Sequence, residues 1–146
     1  MRAKLGLQNA ETCDLELAQS LLTWMQKNRA DFTNTFRNLS ADESPTGVRY
    51  EDPEFRDWRS RWQLRLNREN RPTTLAHAAM RSVNPVVIPR NHRVEEALAA
   101  AEDHNDLSVL HRLLATLAKP YEVGPDTPMY QDLPPDDCSY RTFCGT

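Results

Sequence analysis

Apolar residues recur at helical spacing through most of the chain, and this pattern predicts an all-α fold of about six helices. In residues 14–28 the stripe consists of Leu15, Ala18, Leu22 and Met25, and three more apolar residues widen it: Leu17, Leu21 and Trp24. A helix with so wide an apolar stripe is expected to be buried on more than one side.

Two further helices have recognisable starts. Asp31 is a candidate N-cap for a short helix whose Phe32, Phe36 and Leu39 fall at positions i, i+4 and i+7. Asp52 followed by Pro53 predicts the start of a longer helix. That helix carries an aromatic stripe over about four turns: Phe55, Trp58, Trp62 and Leu66.

The second half of the chain continues the helical pattern. Thr73 is predicted to cap a helix with an apolar face made of small and medium residues: Leu75, Ala76, Ala79, Met80 and Val83. Residues 93–118 predict an αα-hairpin interrupted at His104 and Asn105. Its apolar positions are Val94, Ala97, Leu98 and Ala101 before the break and Leu107, Leu110, Leu113, Leu114 and Leu117 after it.

A non-helical joint is predicted between these two parts, at residues 84–92. Its β-branched run 86–88 is flanked by Pro85 and Pro89, and each proline removes an amide donor and disfavours helix in the residue before it. We expect a buried extended connector that packs on the helices beside it. A binding loop is the alternative.

The two ends of the chain have patterns of their own. Residues 4–7 predict the last turn of a helix closed by Gly6 in the left-handed region, and so indicate a fragment of a longer protein. Residues 119–146 contain several prolines and have no helical or strand period. Their large apolar side chains predict an extended strap that packs on the helical domain rather than a disordered tail.

Composition excludes several classes of function. The 146 residues carry a net charge of −3, with 27% charged residues, which predicts no long-range attraction to nucleic acid. Residues 51–71 interleave arginine with tryptophan, but their acidic residues nearly balance the arginines, so we expect a solvated charged face over packed aromatics. No apolar run is long enough to span a membrane, and a cytoplasmic location is expected.

The residues suited to catalysis or metal binding are few. The four glycines have no spacing that would form a phosphate-binding loop. The histidines and cysteines lack metal-ligand spacing, so neither a metal site nor a cofactor site is expected in this chain. Asp103–Asp106 resembles a calcium loop only in part, and helix capping is the preferred interpretation. Arg90, Asn91 and His92 form a basic cluster that is expected to bind helix ends rather than phosphate.

Cys144 is a candidate redox residue because it lies two residues from the C-terminus. A thiol on a chain end can exchange disulfides with another segment, although an inert cysteine is the simpler interpretation. The three cysteines, Cys13, Cys138 and Cys144, predict no disulfide framework.

An ordered series of short motifs is similar to the C-terminal part of the selenoprotein O family. The motifs are Lys4–Leu7, Ala30–Thr33 with Phe36-Arg37, Val83–Pro85, Pro89–Asn91, the hairpin 107–121 ending in Lys-Pro-Tyr, and the terminal Phe-Cys-Gly-Thr. The series covers essentially the whole chain.

The resemblance implies a function for the parent protein that composition and spacing do not. Members of that family have a pseudokinase fold, bind ATP and Mg²⁺, and transfer AMP to Ser, Thr or Tyr hydroxyls of proteins. Their catalytic and nucleotide-binding residues lie upstream, so none is assigned here. Cys144 matches the C-terminal selenocysteine or cysteine to which the family's redox link is attributed. Selenoprotein members have a second cysteine three residues earlier, where this chain has Arg141.

The resulting prediction is a single helical C-terminal domain, residues 1–146, with residues 119–146 packed on it as a tail. It is expected to support an upstream kinase-like core of the same protein, to present a redox-sensitive tail, and to lack catalytic residues of its own. Protein substrates of the parent are its expected partners. The alternative is a free-standing helical module for protein–protein interaction, without enzymatic activity.

Overall fold

The computed structural model describes residues 1–41, 45 and 47–134, and within these ranges the fold is all-helical, as predicted. Two short 3-10 helices, Arg2–Leu5 and Val48–Glu51, accompany seven α-helices. The α-helices are α1 (Asp14–Lys27), α2 (Phe32–Leu39), α3 (Pro53–Asn67), α4 (Thr73–Val83), α5 (Asn91–His104), α6 (Ser108–Leu117) and α7 (Thr127–Gln131).

The chain divides into two compact units, Met1–Val86 and Val87–Thr146. The boundary falls inside the joint that the prolines predicted. The first unit contains α1 to α4 and the second contains α5 to α7. The single domain over residues 1–146 stays a prediction.

The core of the first unit is aromatic and lies between α1 and α3. All four residues of the predicted α3 stripe are buried: Phe55, Trp58, Trp62 and Leu66. The rings of Trp58 and Trp62 stack with centroids 5.8 Å apart. Their indole nitrogens donate to backbone carbonyls, Trp58 Nε1 to Leu17 at 2.8 Å and Trp62 Nε1 to Leu5 at 2.9 Å. These bonds satisfy the buried N–H groups, so the tryptophans fix the position of the N-terminal segment as well as filling space.

The prediction for the face of α1 was partly wrong. Ala18 and Met25 of the predicted stripe are buried together with the three residues that were expected only to widen it, Leu17, Leu21 and Trp24. Leu15 and Leu22 are instead 67% and 37% exposed. The helix turns the centre of its apolar arc toward α3 and leaves one edge of that arc uncovered.

The same error occurs at other helices. Several residues predicted to lie in apolar faces are more than a third exposed: Phe32, Leu75, Leu98, Leu107 and Leu114. Other residues of the same predicted faces are buried, such as Phe36 in α2 and Met80 in α4. Periodicity identified the helices and part of each buried face but not which apolar positions the packing leaves exposed.

Most predicted helix ends are confirmed. Asp31 accepts a hydrogen bond from the Asn34 amide at 2.7 Å, and Asp52 accepts one from the Glu54 amide at 3.1 Å. Gly6 has φ 74° and ends a 3-10 helix. Thr73 was wrongly assigned as a cap, because it is the first helical residue and Pro72 precedes it in extended conformation.

The αα-hairpin is confirmed, and the joint is confirmed over residues 84–90, whereas Asn91 and His92 belong to α5. Residues 84–90 are not helical, and Val86 and Val87 are 3% and 1% exposed. α5 ends at Asn105, which has φ 52°, and α6 follows after a short loop. In the tail, α7 is a short helix that the sequence analysis did not predict. Among the described residues no helix combines the length and apolar character needed to cross a bilayer.

Candidate functional site

A deeply buried charge of the first unit is Arg65, near the end of α3. Its side chain is 2% exposed, and its Nε donates to Asp14 Oδ1 at 2.7 Å. Nη1 lies 2.7 Å from Glu69 Oε1 and 3.2 Å from Glu11 Oε1. We call Glu11, Asp14, Arg65 and Glu69 the Arg65 cluster. One guanidinium thus binds three carboxylates, which join the start of α1 to the end of α3.

The Arg65 cluster also holds the backbone that precedes α1. Arg65 Nη2 donates to the Asn9 carbonyl at 2.8 Å. Glu69 Oε2 accepts from the amides of Gln8 and Asn9 at 3.2 and 3.3 Å. A buried charge needs both a counter-charge and hydrogen bonds, and this segment supplies hydrogen bonds to Arg65 Nη2 and Glu69 Oε2. The Arg65 Nη1–Glu69 Oε1 contact is an ion pair without hydrogen-bond geometry.

Two carboxyl groups of the Arg65 cluster, those of Asp14 and Glu69, have lowered pKa values although they are buried. Burial alone would raise the pKa of Asp14, but hydrogen bonds from Arg65 and the Glu11 amide outweigh it, and the pKa is lowered. Burial acts in the same direction on Glu69, where the Asn9 amide and Arg65 lower the pKa overall. For Arg65, burial opposes the charge, and Asp14 and Glu69 raise the pKa of the guanidinium.

Arg65 was expected to lie on the solvated charged face of α3, and this prediction was wrong. The signal against that interpretation was its position, three residues after Trp62 and seven after Trp58, on the buried face of the helix. The spacing of Arg65 and Glu69 at i, i+4 was a second signal. Arg61, by contrast, is half-exposed and pairs with Asp57 at 3.1 Å, in keeping with the solvated charged face expected for this helix.

A second polar cluster lies where α4 meets the joint. Asn84 is fully buried; its Nδ2 donates to the Lys4 carbonyl at 2.9 Å and its Oδ1 accepts from Lys4 Nζ at 3.2 Å. Lys4 Nζ also donates to the Val83 carbonyl at 3.3 Å. The ammonium lies 5.6 Å from the ring centres of both Phe32 and Phe36.

Arg37 completes this cluster from α2. Its Nη1 donates to the carbonyls of Arg81 and Asn84 at 3.2 and 3.1 Å. Two cations therefore satisfy the last carbonyls of α4, where the helix dipole favours positive charge. Burial lowers the pKa of Arg37, and Arg81 adds to that effect. These contacts explain why the motif Val83–Pro85 and the residues Lys4 and Arg37 occur together.

The charged groups of both clusters are engaged in contacts within the first unit. Every charged group described above binds backbone or a counter-charge inside the first unit. The part of the chain that the structure describes holds no group of three or more His, Cys, Asp or Glu side chains placed to bind a metal ion. The hydrogen bonds and ion pairs of the two clusters hold the helices of the first unit in position.

The second unit contains two candidate sites from the sequence, the basic cluster at residues 90–92 and the segment Asp103–Asp106. Arg90 is buried and directly precedes α5. Burial lowers the pKa of His92, and the positive charges of Arg93 and Arg90 lower it further. The His92 Nε2 atom has no hydrogen-bond partner among the described residues. Asp103–Asp106 caps helices as predicted, because Asn105 ends α5 and Asp106 Oδ1 accepts from the Ser108 amide at 2.8 Å.

The cysteines give little support for a site. Cys144, the candidate redox residue, and Cys138 lie outside the described residues. Cys13 is an exposed free thiol, with Sγ 3.6 Å from Glu11 and 3.7 Å from Arg68. The redox role of Cys144 stays a prediction.

A groove of about 640 Å³ lies beside α1 in the first unit. Leu7 and Ala18 form part of its floor, and Leu15 and Leu22 stand along one side. Polar side chains from Arg2, Glu11 and Gln19 form part of its rim. Such a surface is suited to an apolar partner segment rather than to a charged ligand.

Comparison with known proteins identifies the family. Residues 1–118 match the family described as Protein adenylyltransferase SelO. The chain is 50% identical over 147 aligned positions to the protein nucleotidyltransferases YdiU of Syntrophotalea carbinolica and Geobacillus kaustophilus. That of Bacillus cereus is 46% identical. Each alignment covers all of this chain and 30% of the relative.

The match runs through both clusters and both compact units, and the motifs that suggested the resemblance all fall in the aligned region. The chain spans less than a third of the length of these relatives. It belongs to the protein adenylyltransferase SelO family.

Proposed function

We propose that this chain is the C-terminal helical part of a protein nucleotidyltransferase that transfers AMP from ATP to Ser, Thr or Tyr hydroxyls of proteins. Its own role is to support the upstream kinase-like core. The observation that carries the proposal is the 50% identity across the whole chain to proteins named nucleotidyltransferases, of which it spans 30%.

The two polar clusters support a structural role. The Arg65 cluster and the second polar cluster, formed by Lys4, Arg37 and Asn84, each join segments about 50 to 80 residues apart in the chain. Buried, directional contacts of this kind favour one arrangement of the helices over others. A rigid arrangement is what a supporting domain needs, because catalytic geometry elsewhere in the protein is sensitive to small displacements.

We propose that ATP and Mg²⁺ bind to the parent protein outside this chain. ATP supplies the AMP group, and Mg²⁺ neutralises phosphate charge during transfer. The proposal is supported by the two polar clusters, whose charged groups bind backbone or counter-charges within the first unit. No step of the reaction is assigned to a residue of this chain.

We further propose that Cys144 forms a reversible disulfide with a cysteine of the kinase-like core. The two thiols lose two electrons and two protons to glutathione disulfide, which is reduced to two glutathione thiols. The support is the resemblance at the terminal Phe-Cys-Gly-Thr. A cytoplasmic location is part of the proposal, since the reducing pool there would make the disulfide a regulated state.

The proposed activity can be tested in a chimaera. Because the alignment covers all of this chain, the chain can replace the matched 30% of the Syntrophotalea carbinolica relative. The chimaera is incubated with ATP labelled in the α-phosphate, Mg²⁺ and a protein extract, and label on protein is measured. We expect transfer. A chimaera that is folded and binds ATP but labels no protein would contradict the proposal.

The redox role needs a separate test in the same chimaera. Transfer rates are compared with and without Cys144→Ser, each in oxidised and in reduced glutathione. We expect the unsubstituted protein to respond to the glutathione state and the Cys144→Ser variant to be insensitive. Cys13→Ser is the matched control, since Cys13 is an exposed thiol of the same chain. Equal rates under all conditions would remove the redox role.

A further inference from the structure

Helix α1 carries more apolar surface than the first unit covers. At 100° per residue its apolar arc extends over about half the circumference of the helix. One part of that arc, from Trp24 to Ala18, is buried. The other edge consists of Leu15 and Leu22, which are 67% and 37% exposed and lie seven residues apart on one face.

This uncovered edge forms one side of the groove described above. The floor, which includes Leu7 at 4% exposure and Ala18 at 5%, is already part of the packed core. The exposed leucines therefore do not stand alone on the surface but continue an apolar layer outward. Polar residues at the rim, such as Arg2 and Gln19, mark where that layer ends.

We propose that this groove is the docking site of the nucleotidyltransferase core, which inserts an amphipathic segment with its apolar side against Leu15 and Leu22. The inference rests on the proposed function. The chain spans 30% of relatives to which it is about 50% identical, so most of the length of such a protein is available to cover the groove. Burying a leucine contributes stability, and an exposed pair on a core-forming helix lacks that contribution in the isolated chain.

The groove favours an intramolecular occupant over a charged ligand or nucleic acid. Its exposed lining includes Leu15 and Leu22. The acidic residues that also line it, Glu11 and Asp14, are bound to Arg68 and Arg65 at the end of α3. A second copy of this chain is the competing occupant, and it would give a dimer whose formation depends on concentration.

Thiol accessibility tests the proposal. Leu15→Cys and Leu22→Cys are introduced separately into the isolated chain and into the chimaera, and alkylation at each position is followed by peptide mass spectrometry. We expect labelling to be at least about tenfold slower in the chimaera, since the docked segment must dissociate before the reagent enters. Leu64→Cys, at a residue of α3 that is 63% exposed, is the matched control and should label at similar rates in both proteins.

Three results would overturn the inference. One is equal labelling of Leu22→Cys in the isolated chain and in the chimaera. Another is protection at position 64 but not at position 22, which would place the core on α3. The third is protection in the isolated chain that grows with concentration, which would identify a second copy as the occupant.

The outcome is separable from that of the proposed function. Slow labelling in a chimaera that transfers no AMP would support docking and contradict the activity. Fast labelling in a chimaera that transfers AMP would support the proposed activity and contradict docking at the groove. If a cysteine variant does not fold, hydroxyl-radical footprinting of the unsubstituted proteins measures the same leucine side chains and decides between the same outcomes.

Discussion

Asn84 and Lys4 exchange two hydrogen bonds although they are 80 residues apart in the chain. The amide of Asn84 is fully buried, and it offers both its donor and its acceptor to the same lysine. Aspartate at this position would lack the donor, and leucine would lack both the donor and the acceptor. The pair therefore ties the N-terminal segment to the end of α4.

We expect Asn84→Ala to lower the free energy of unfolding by about 1–3 kcal/mol, because the Lys4 carbonyl and ammonium lose buried partners. Denaturant unfolding measured by circular dichroism checks this. Asn67→Ala, at the exposed end of α3, is the control and should change stability by no more than about 0.5 kcal/mol. Equal effects of the two substitutions would show that the Asn84 bonds contribute little.

Arg65→Met should be among the most destabilising single substitutions in the chain. It leaves the carboxylates of Asp14 and Glu69 buried without their counter-charge, at a cost of about 3–5 kcal/mol. Arg61→Met removes a half-exposed ion pair from the same helix and should cost less than about 1 kcal/mol. Similar denaturation midpoints for the two variants would contradict the role assigned to the Arg65 cluster.

Acid should destabilise the protein through the same carboxylates. Their pKa values are lowered on folding, so their contribution is fully present above the ordinary values of 4.5 for Glu69 and 3.8 for Asp14. It is lost as the pH falls through the lowered values of the folded state. We expect the free energy of unfolding to decrease as pH is lowered below about 4.5.

Arg65→Met provides the control for this pH dependence. Without the guanidinium, burial raises the carboxyl pKa values unopposed by a positive charge, so the decrease in stability below pH 4.5 should become shallower. Urea titrations of both proteins between neutral and acidic pH measure the two slopes. An identical pH dependence would show that other groups cause the acid sensitivity.

Gly6→Ala should destabilise the N-terminal segment. Gly6 has φ 74°, and a Cβ there would lie 3.0 Å from Met80 Sδ and 3.3 Å from Leu66 Cδ2. We expect a loss of about 1–2 kcal/mol from the left-handed backbone alone. Gly124→Ala is a suitable control, since a Cβ there meets only Thr127 Oγ1 at 4.0 Å. Thermal unfolding of both variants would show no difference if Gly6 had no special role.

The sequence predicted the helices well because their signals are local. The stripe of α3, the Asp52-Pro53 start and the joint between Pro85 and Pro89 each depend on residues close in the chain. The Arg65 cluster was missed because its partners, such as Asp14, come from a distant helix, and charge alone suggests solvent exposure. The exposure of Leu15 was missed for a related reason: the pattern shows that a face is apolar but not which neighbour covers it.

The central claim is that this chain completes a protein nucleotidyltransferase. Its most direct test compares AMP transfer to protein by the Syntrophotalea carbinolica relative, by the same relative without its matched 30%, and by the chimaera carrying this chain. We predict activity in the first, loss in the second and recovery in the third. Full activity without the matched segment, or a folded chimaera that stays inactive, would contradict the claim.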